Sequence, residues 1–83
     1  MEAKHINYIT TGGVCSRSIH IDLTGNTIQR VIIDGGCHGN AQGIMKLLEG
    51  MDVEDAIIRL EGINCKNRGT SCPDQVARAL KTR

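Results

Sequence analysis

Eighty-three residues with a formal net charge of +1 fit one domain, taken here as residues 1–83, and leave no room for a second. Hydrophobic residues at 40% and charged residues at 23% exclude a disordered chain, and no apolar run approaches the ~18 residues that a membrane span needs. The near-neutral charge disfavours a nucleic-acid binder, and Met1-Glu2-Ala3-Lys4-His5 has no apolar stretch behind it to read as a secretory signal, so the expected compartment is the cytoplasm.

The first third reads as strands. Ile6, Tyr8 and Thr10 alternate with Asn7 and Ile9, and after Gly12-Gly13 the run Ser18–Leu23 places Ile19, Ile21 and Leu23 on one face. Thr24-Gly25-Asn26-Thr27 reads as a hairpin turn, because Gly and Asn tolerate positive φ. Thr27–Asp34 returns as a third strand, rich in β-branched residues. Its alternation breaks, with Ile32 and Ile33 on opposite faces, which fits either a central strand or a bulge at Gln29-Arg30.

The remainder reads as three helices. Asn40 is the expected N-cap of the first, whose Ile44, Leu47, Leu48 and Met51 fall at i, i+3, i+4 and i+7 on one face, and Gly50 suits its end. Asp52 is the expected N-cap of the second, with Val53, Ala56, Ile57 and Leu60 apolar and Gly62 as terminator. A polar loop carrying Cys65 leads to Thr70-Ser71-Cys72-Pro73-Asp74. There Ser71 and Asp74 resemble a capping box, Pro73 favours the first turn, and Val76, Ala77 and Leu80 form an apolar face. The expected fold class is α+β: a three-stranded antiparallel sheet followed by three helices packed on one face.

Tyr8 is the only aromatic residue, so the core is built from aliphatic side chains. A core this small supplies about 3–5 kcal/mol, a size at which staples become useful. Cys15, Cys37, Cys65 and Cys72 are the candidates. In a reducing cytosol, metal ligation or thiol chemistry gains weight over disulfides. No Cys-x-x-Cys pair is present, so spacing alone gives no zinc-finger match. Placement says more: every cysteine falls at the end of a predicted element or in a loop. The hairpin can return Cys37, in Gly35-Gly36-Cys37-His38-Gly39, to the end of the sheet that holds Cys15, and a short loop ties Cys65 to Cys72.

Four thiolates meeting at one point would make a closed tetrahedral site for zinc or iron. A helix start at Cys72 favours the thiolate, and the glycines around Cys37 allow a nest of backbone N–H groups. Against this, a cysteine is often only a small buried apolar residue, and Cys15 shares parity with Ile19 and Ile21. Placement alone leaves a shared metal site and inert or independent thiols equally open.

His5, His20 and His38 are further candidate ligands; His20 alternates onto the polar face and reads as solvated, and His38, next to Cys37, is the one to watch. Lys66, Arg68, Arg78, Lys81 and Arg83 read as a solvated basic face, without aromatics for base stacking. No Ser/His/Asp arrangement or phosphate loop is present, and Asp22, Asp34 and Asp55 have no partner that the sequence identifies.

The string Thr70-Ser71-Cys72-Pro73-Asp74, with Cys15, Cys37 and Cys65 before it, resembles the short, stand-alone, four-cysteine type of the TSCPD-domain family over nearly the whole chain. The resemblance implies a metal-binding module. It also implies a link to adenosylcobalamin-dependent ribonucleotide reductases, where the domain is appended at the C-terminus; their catalytic barrel has no counterpart here, so no activity is expected of the chain alone.

More distantly the chain is similar to NifU/IscU-type iron–sulfur scaffolds. Cys15 in Gly12-Gly13-Val14-Cys15, Cys37 in Gly36-Cys37-His38-Gly39 and Cys72 match their three cysteines, and Leu48-Glu49-Gly50-Met51 with Asp55-Ala56 resembles their inter-helix segment. Arg17 stands where the scaffolds have an aspartate, Ser71 where they have a histidine, and Cys65 is additional, which favours a tighter all-sulfur site over cluster hand-off.

The leading expectation is one zinc ion or iron–sulfur centre held by Cys15, Cys37, Cys65 and Cys72, with a protein partner of unknown identity. The alternatives are a thiol-redox or accessory module of ribonucleotide reduction, with Cys65 and Cys72 cycling through a disulfide, and an iron–sulfur scaffold or carrier.

Overall fold

A computed structural model describes residues 2–11, 16–35, 38–63 and 69–83. Three strands, β1 (Ala3–Ile9), β2 (Ser16–Thr24) and β3 (Thr27–Gly35), precede three helices, α1 (His38–Leu48), α2 (Val53–Leu60) and α3 (Cys72–Lys81). The sheet is antiparallel in the order β1-β2-β3. The expected α+β arrangement is therefore the observed one.

Alternation sets the sheet's two faces. Ile6, Ile19, Ile21 and Leu23 are buried under the helices, together with Ile28, Val31 and Ile33 from β3. The irregular strand resolves in favour of a bulge: Asp22 pairs with Arg30 and Leu23 with Ile28, so Gln29 is the extra residue. That residue resets the parity of β3, which is why Ile28 and Val31 both face inward and Ile32 faces out. The central strand is β2, not β3.

The helices thread back and forth along the sheet. α1 leaves from the end of β3 and returns to its start, where the Ile28 N–H donates to the Met51 carbonyl (2.9 Å) and the Gly50 N–H to the Ile28 carbonyl (2.7 Å). Gly50 adopts a φ of 83°, as a helix terminator should. α2 starts beside the hairpin turn, with the Val53 N–H donating to Asn26, and α3 runs back against it. Asp52 caps α2 as expected, accepting from the Glu54 and Asp55 N–H groups.

Two helix expectations need correction. α1 begins at His38, so Asn40 lies inside its first turn and is not its cap; Gly35, at a φ of 89°, turns the chain early enough for the helix to start there. Leu47 is 74% exposed. α1 ends at Leu48, so Met51 reaches the core from beyond the Gly50 turn; within the helix Ile44 and Leu48, at i and i+4, form one narrow stripe and Leu47 falls at its margin. The core they join continues through Val53, Ala56, Ile57, Val76, Ala79 and Leu80.

Candidate thiol site

Of the four predicted ligands, Cys72 is the one the structure describes; Cys15, Cys37 and Cys65 lie outside the described residues, as does the side chain of His38. Cys72 is half-buried and opens α3. The Ser71 side chain caps that helix, its hydroxyl accepting from the Asp74 N–H (3.1 Å), and Pro73 fills the first turn, where its missing N–H costs nothing.

The helix start is built around a polar network that a helix cap does not require. Asp74 and Gln75 are both buried, at 3% and 0% exposure, although Asp74 shares its helix face with Arg78, while Gln75 lies beside Ala79 one turn on. One Asp74 carboxylate oxygen accepts from the Gly62 N–H (2.7 Å), and the other accepts from the Thr70 hydroxyl (2.5 Å) and from the Arg78 Nε–H (2.9 Å). The Gln75 amide oxygen accepts from the Thr11 N–H (2.9 Å), and its Nε2 donates to the Thr70 hydroxyl oxygen (2.9 Å). Among the described residues no buried side-chain N or O lacks a partner. Burial pushes the Asp74 carboxyl up, but the hydrogen bonds from Thr70 and Gly62 and the charge of Arg78 outweigh it and hold the group below its ordinary value.

The capping-box reading is thus half right. Ser71 bonds the Asp74 backbone, while the Asp74 side chain is spent on Gly62, Thr70 and Arg78. Sequence reasoning missed Gln75 and Thr11 altogether. The available signal was slight: Gln75 lies one turn before Ala79 but outside the Val76, Ala77 and Leu80 face, so nothing in the helical pattern marks it as buried.

These bonds gather specific pieces of chain. Thr11 is the last described residue before the segment of Cys15, and Gly62 lies just ahead of the segment of Cys65. Thr10 closes onto Arg17 through its N–H (3.2 Å) and its hydroxyl (3.0 Å), so the two ends of the Cys15 segment stand side by side. Ser16, next after Cys15, pairs with Gly35, two residues before Cys37. A second bulge places Arg17 out of register at this end, where its guanidinium meets Asp34 (3.4 Å). The described residues that flank all three remaining cysteines therefore lie at the end of the sheet from which α1 departs and at which α3 begins.

Elsewhere the polar groups satisfy one another. On the open face of the sheet Asp22 pairs with His5, Asn7 accepts from both His5 and His20, and the two imidazoles stack with centroids 6.2 Å apart. The Asp22 hydrogen bond raises His5 above its ordinary value, against the effect of desolvation and with help from Asn7. With both ring nitrogens of His5 engaged, no lone pair is left for a metal, and no cluster of three or more His, Cys, Asp or Glu suited to a metal ion occurs among the described residues. His20, expected in solvent, is half-buried in this ladder. The described members of the basic face are paired, Arg78 with Asp74, Lys81 with Glu61 and Arg83 with Glu54, as a solvated face would be; Lys66 and Arg68 lie outside the described residues. Among the described residues no helix is long and apolar enough to cross a membrane.

Comparison with curated proteins and with solved structures returns no match, so the likeness to iron–sulfur scaffolds rests on the quoted residues alone. The TSCPD domain family matches residues 2–83, and the chain belongs to it.

Proposed function

We propose that this TSCPD-domain protein is a metal-binding module in which Cys15, Cys37, Cys65 and Cys72 hold one zinc ion or a small iron–sulfur centre. The observation that carries the reading is the gathering of flanking residues: Ser16 against Gly35, Gly62 against Asp74, and Thr11 against Gln75, all at the end where Cys72 opens α3. The donor set fits such a centre, because four soft thiolates suit zinc and iron–sulfur clusters equally.

Electrostatics point the same way. Four thiolates around a divalent ion leave a net negative centre. α1 and α3 both start at this end, and each helix N-terminus stabilises a nearby anion by about 0.3–1 kcal/mol. A closed four-sulfur site leaves no position for a substrate water, so the group would supply cross-linking, or electron storage if it is iron–sulfur, and not hydrolysis. Structural zinc contributes on the order of 10 kcal/mol to folding, well above what a core of this size provides.

Native mass spectrometry of protein expressed with both metals available should find one centre per chain, and elemental analysis should identify it. Cys72→Ser should lower the occupancy and the melting temperature together. Protein purified without metal whose melting temperature equals that of the loaded form would defeat the proposal.

A further inference from the structure

Gln75 and Asp74 are more than helix-start residues. Each side chain is buried, where an unpartnered polar group costs about 1–3 kcal/mol, so its hydrogen-bond partners matter. Each uses its side chain on a backbone N–H far away in sequence, Thr11 for Gln75 and Gly62 for Asp74, and Thr70 links the two by donating to Asp74 while accepting from Gln75. The pair thereby grips the chain immediately ahead of two cysteine-bearing segments from the first turn of the helix that carries a third cysteine.

We propose that Gln75 and Asp74 are positioning residues of the thiol site, fixing the approaches to Cys15 and Cys65 relative to Cys72 so that the sulfurs share one centre. This rests on reading the cysteines as one site, and it assigns the work of alignment to the Thr11–Gln75–Thr70–Asp74–Gly62 chain of hydrogen bonds. Outer-shell groups of this kind typically contribute 10–100-fold to metal affinity.

The test substitutes Gln75→Met, which keeps the volume and removes both hydrogen bonds, and compares it with Ile57→Val, a core change of about 0.5–1.5 kcal/mol away from the network. Cobalt(II) serves as the probe, through its thiolate charge-transfer and d–d absorption. Gln75→Met is expected to weaken cobalt binding 10–100-fold and to shift the d–d bands, while Ile57→Val moves neither. Unchanged affinity and bands in Gln75→Met would overturn the proposal, as would an equal loss in both variants.

A metal-free arm separates this proposal from the one it rests on. Two thiols react with one glutathione disulfide to give a protein disulfide and two reduced glutathiones, and the equilibrium constant reports how closely the sulfurs are held. If the unsubstituted protein takes up no cobalt, the metal reading falls. A lower equilibrium constant in Gln75→Met then still supports positioning, and an unchanged one removes it.

Discussion

The two ends of the sheet are held by different chemistry. At the hairpin end the ties are mostly backbone to backbone: Gly25 to Glu2 (2.9 Å), Ile28 to Met51 (2.9 Å), Gly50 to Ile28 (2.7 Å) and Val53 to Asn26 (2.9 Å), with a bridge between Thr27 and Asp52. At the thiol end the long-range ties are made by side chains, Gln75 to Thr11 and Asp74 to Gly62, over a buried threonine. Backbone ties survive almost any substitution, since every non-proline residue carries the same donor and acceptor. Side-chain ties depend on one residue type at one position. The end at which Cys72 opens α3 is thus the end whose shape is written most specifically in the sequence.

Substitution at the two ends should expose this asymmetry. Asp74→Ala at the thiol end strands the Gly62 N–H and the Thr70 hydroxyl and leaves Arg78 without its partner. Hydrogen bonds to charged groups contribute about 1.5–3 kcal/mol each, so a loss of about 3 kcal/mol is expected in urea unfolding, with faster amide exchange at Gly62. Asp52→Ala at the hairpin end removes the α2 cap and its bond from Asn26 (3.1 Å). The backbone ties around it remain, and a cap is worth about 1 kcal/mol. If Asp52→Ala proved the costlier, the comparison would be inverted.

Acid should attack the thiol end first. The folded value of Asp74 lies below its ordinary 3.8, so the unfolded chain binds more protons in that range and stability rises with pH there. The contribution is fully present above 3.8 and disappears as pH falls through the lower folded value. Urea midpoints measured between neutral pH and about pH 3 should drop less in Asp74→Asn than in the unsubstituted chain. Ion pairs remote from the network have far smaller leverage. Arg83→Ala removes the pair with Glu54 and is expected to cost about 0–1 kcal/mol, shrinking further in salt.

The strands were legible because period-2 alternation and one Gly-Asn turn suffice to specify a hairpin, and the family signature was legible because Thr70–Asp74 is a distinctive string. The break in β3 was visible as a break, but choosing a bulge over a central strand needed the pairing of Asp22 with Arg30. The network at the thiol end was illegible for a different reason. Its acceptors, Gln75 and Asp74, meet backbone N–H groups 64 and 12 residues away, and a backbone donor has no residue type for a reader to find. A buried glutamine announces only that it needs a partner. The same limit explains Leu47, where an i, i+3 spacing satisfied the helical pattern although only the i, i+4 line of Ile44 and Leu48 meets the core.

The smallest effect belongs to the open face of the sheet, and its sign opposes that of Asp74. His5 is raised above 6.5 chiefly by its hydrogen bond to Asp22, so the folded chain holds a proton that the unfolded chain has released over that range. The contribution is complete below 6.5 and is lost as pH climbs through the raised folded value. Asp22→Asn should therefore lower the His5 titration midpoint, followed by its imidazole proton resonances, and should flatten the stability profile above 6.5. The ring is solvent-exposed, so the effect should also weaken in salt, as a screened surface pair must. An alkaline limb that responds to Asp22→Asn and not to Asp74→Asn would show that the two regions are energetically independent. An alkaline limb that moved in Asp74→Asn, which touches nothing around His5, would mean that the open face and the thiol end are coupled through the sheet between them.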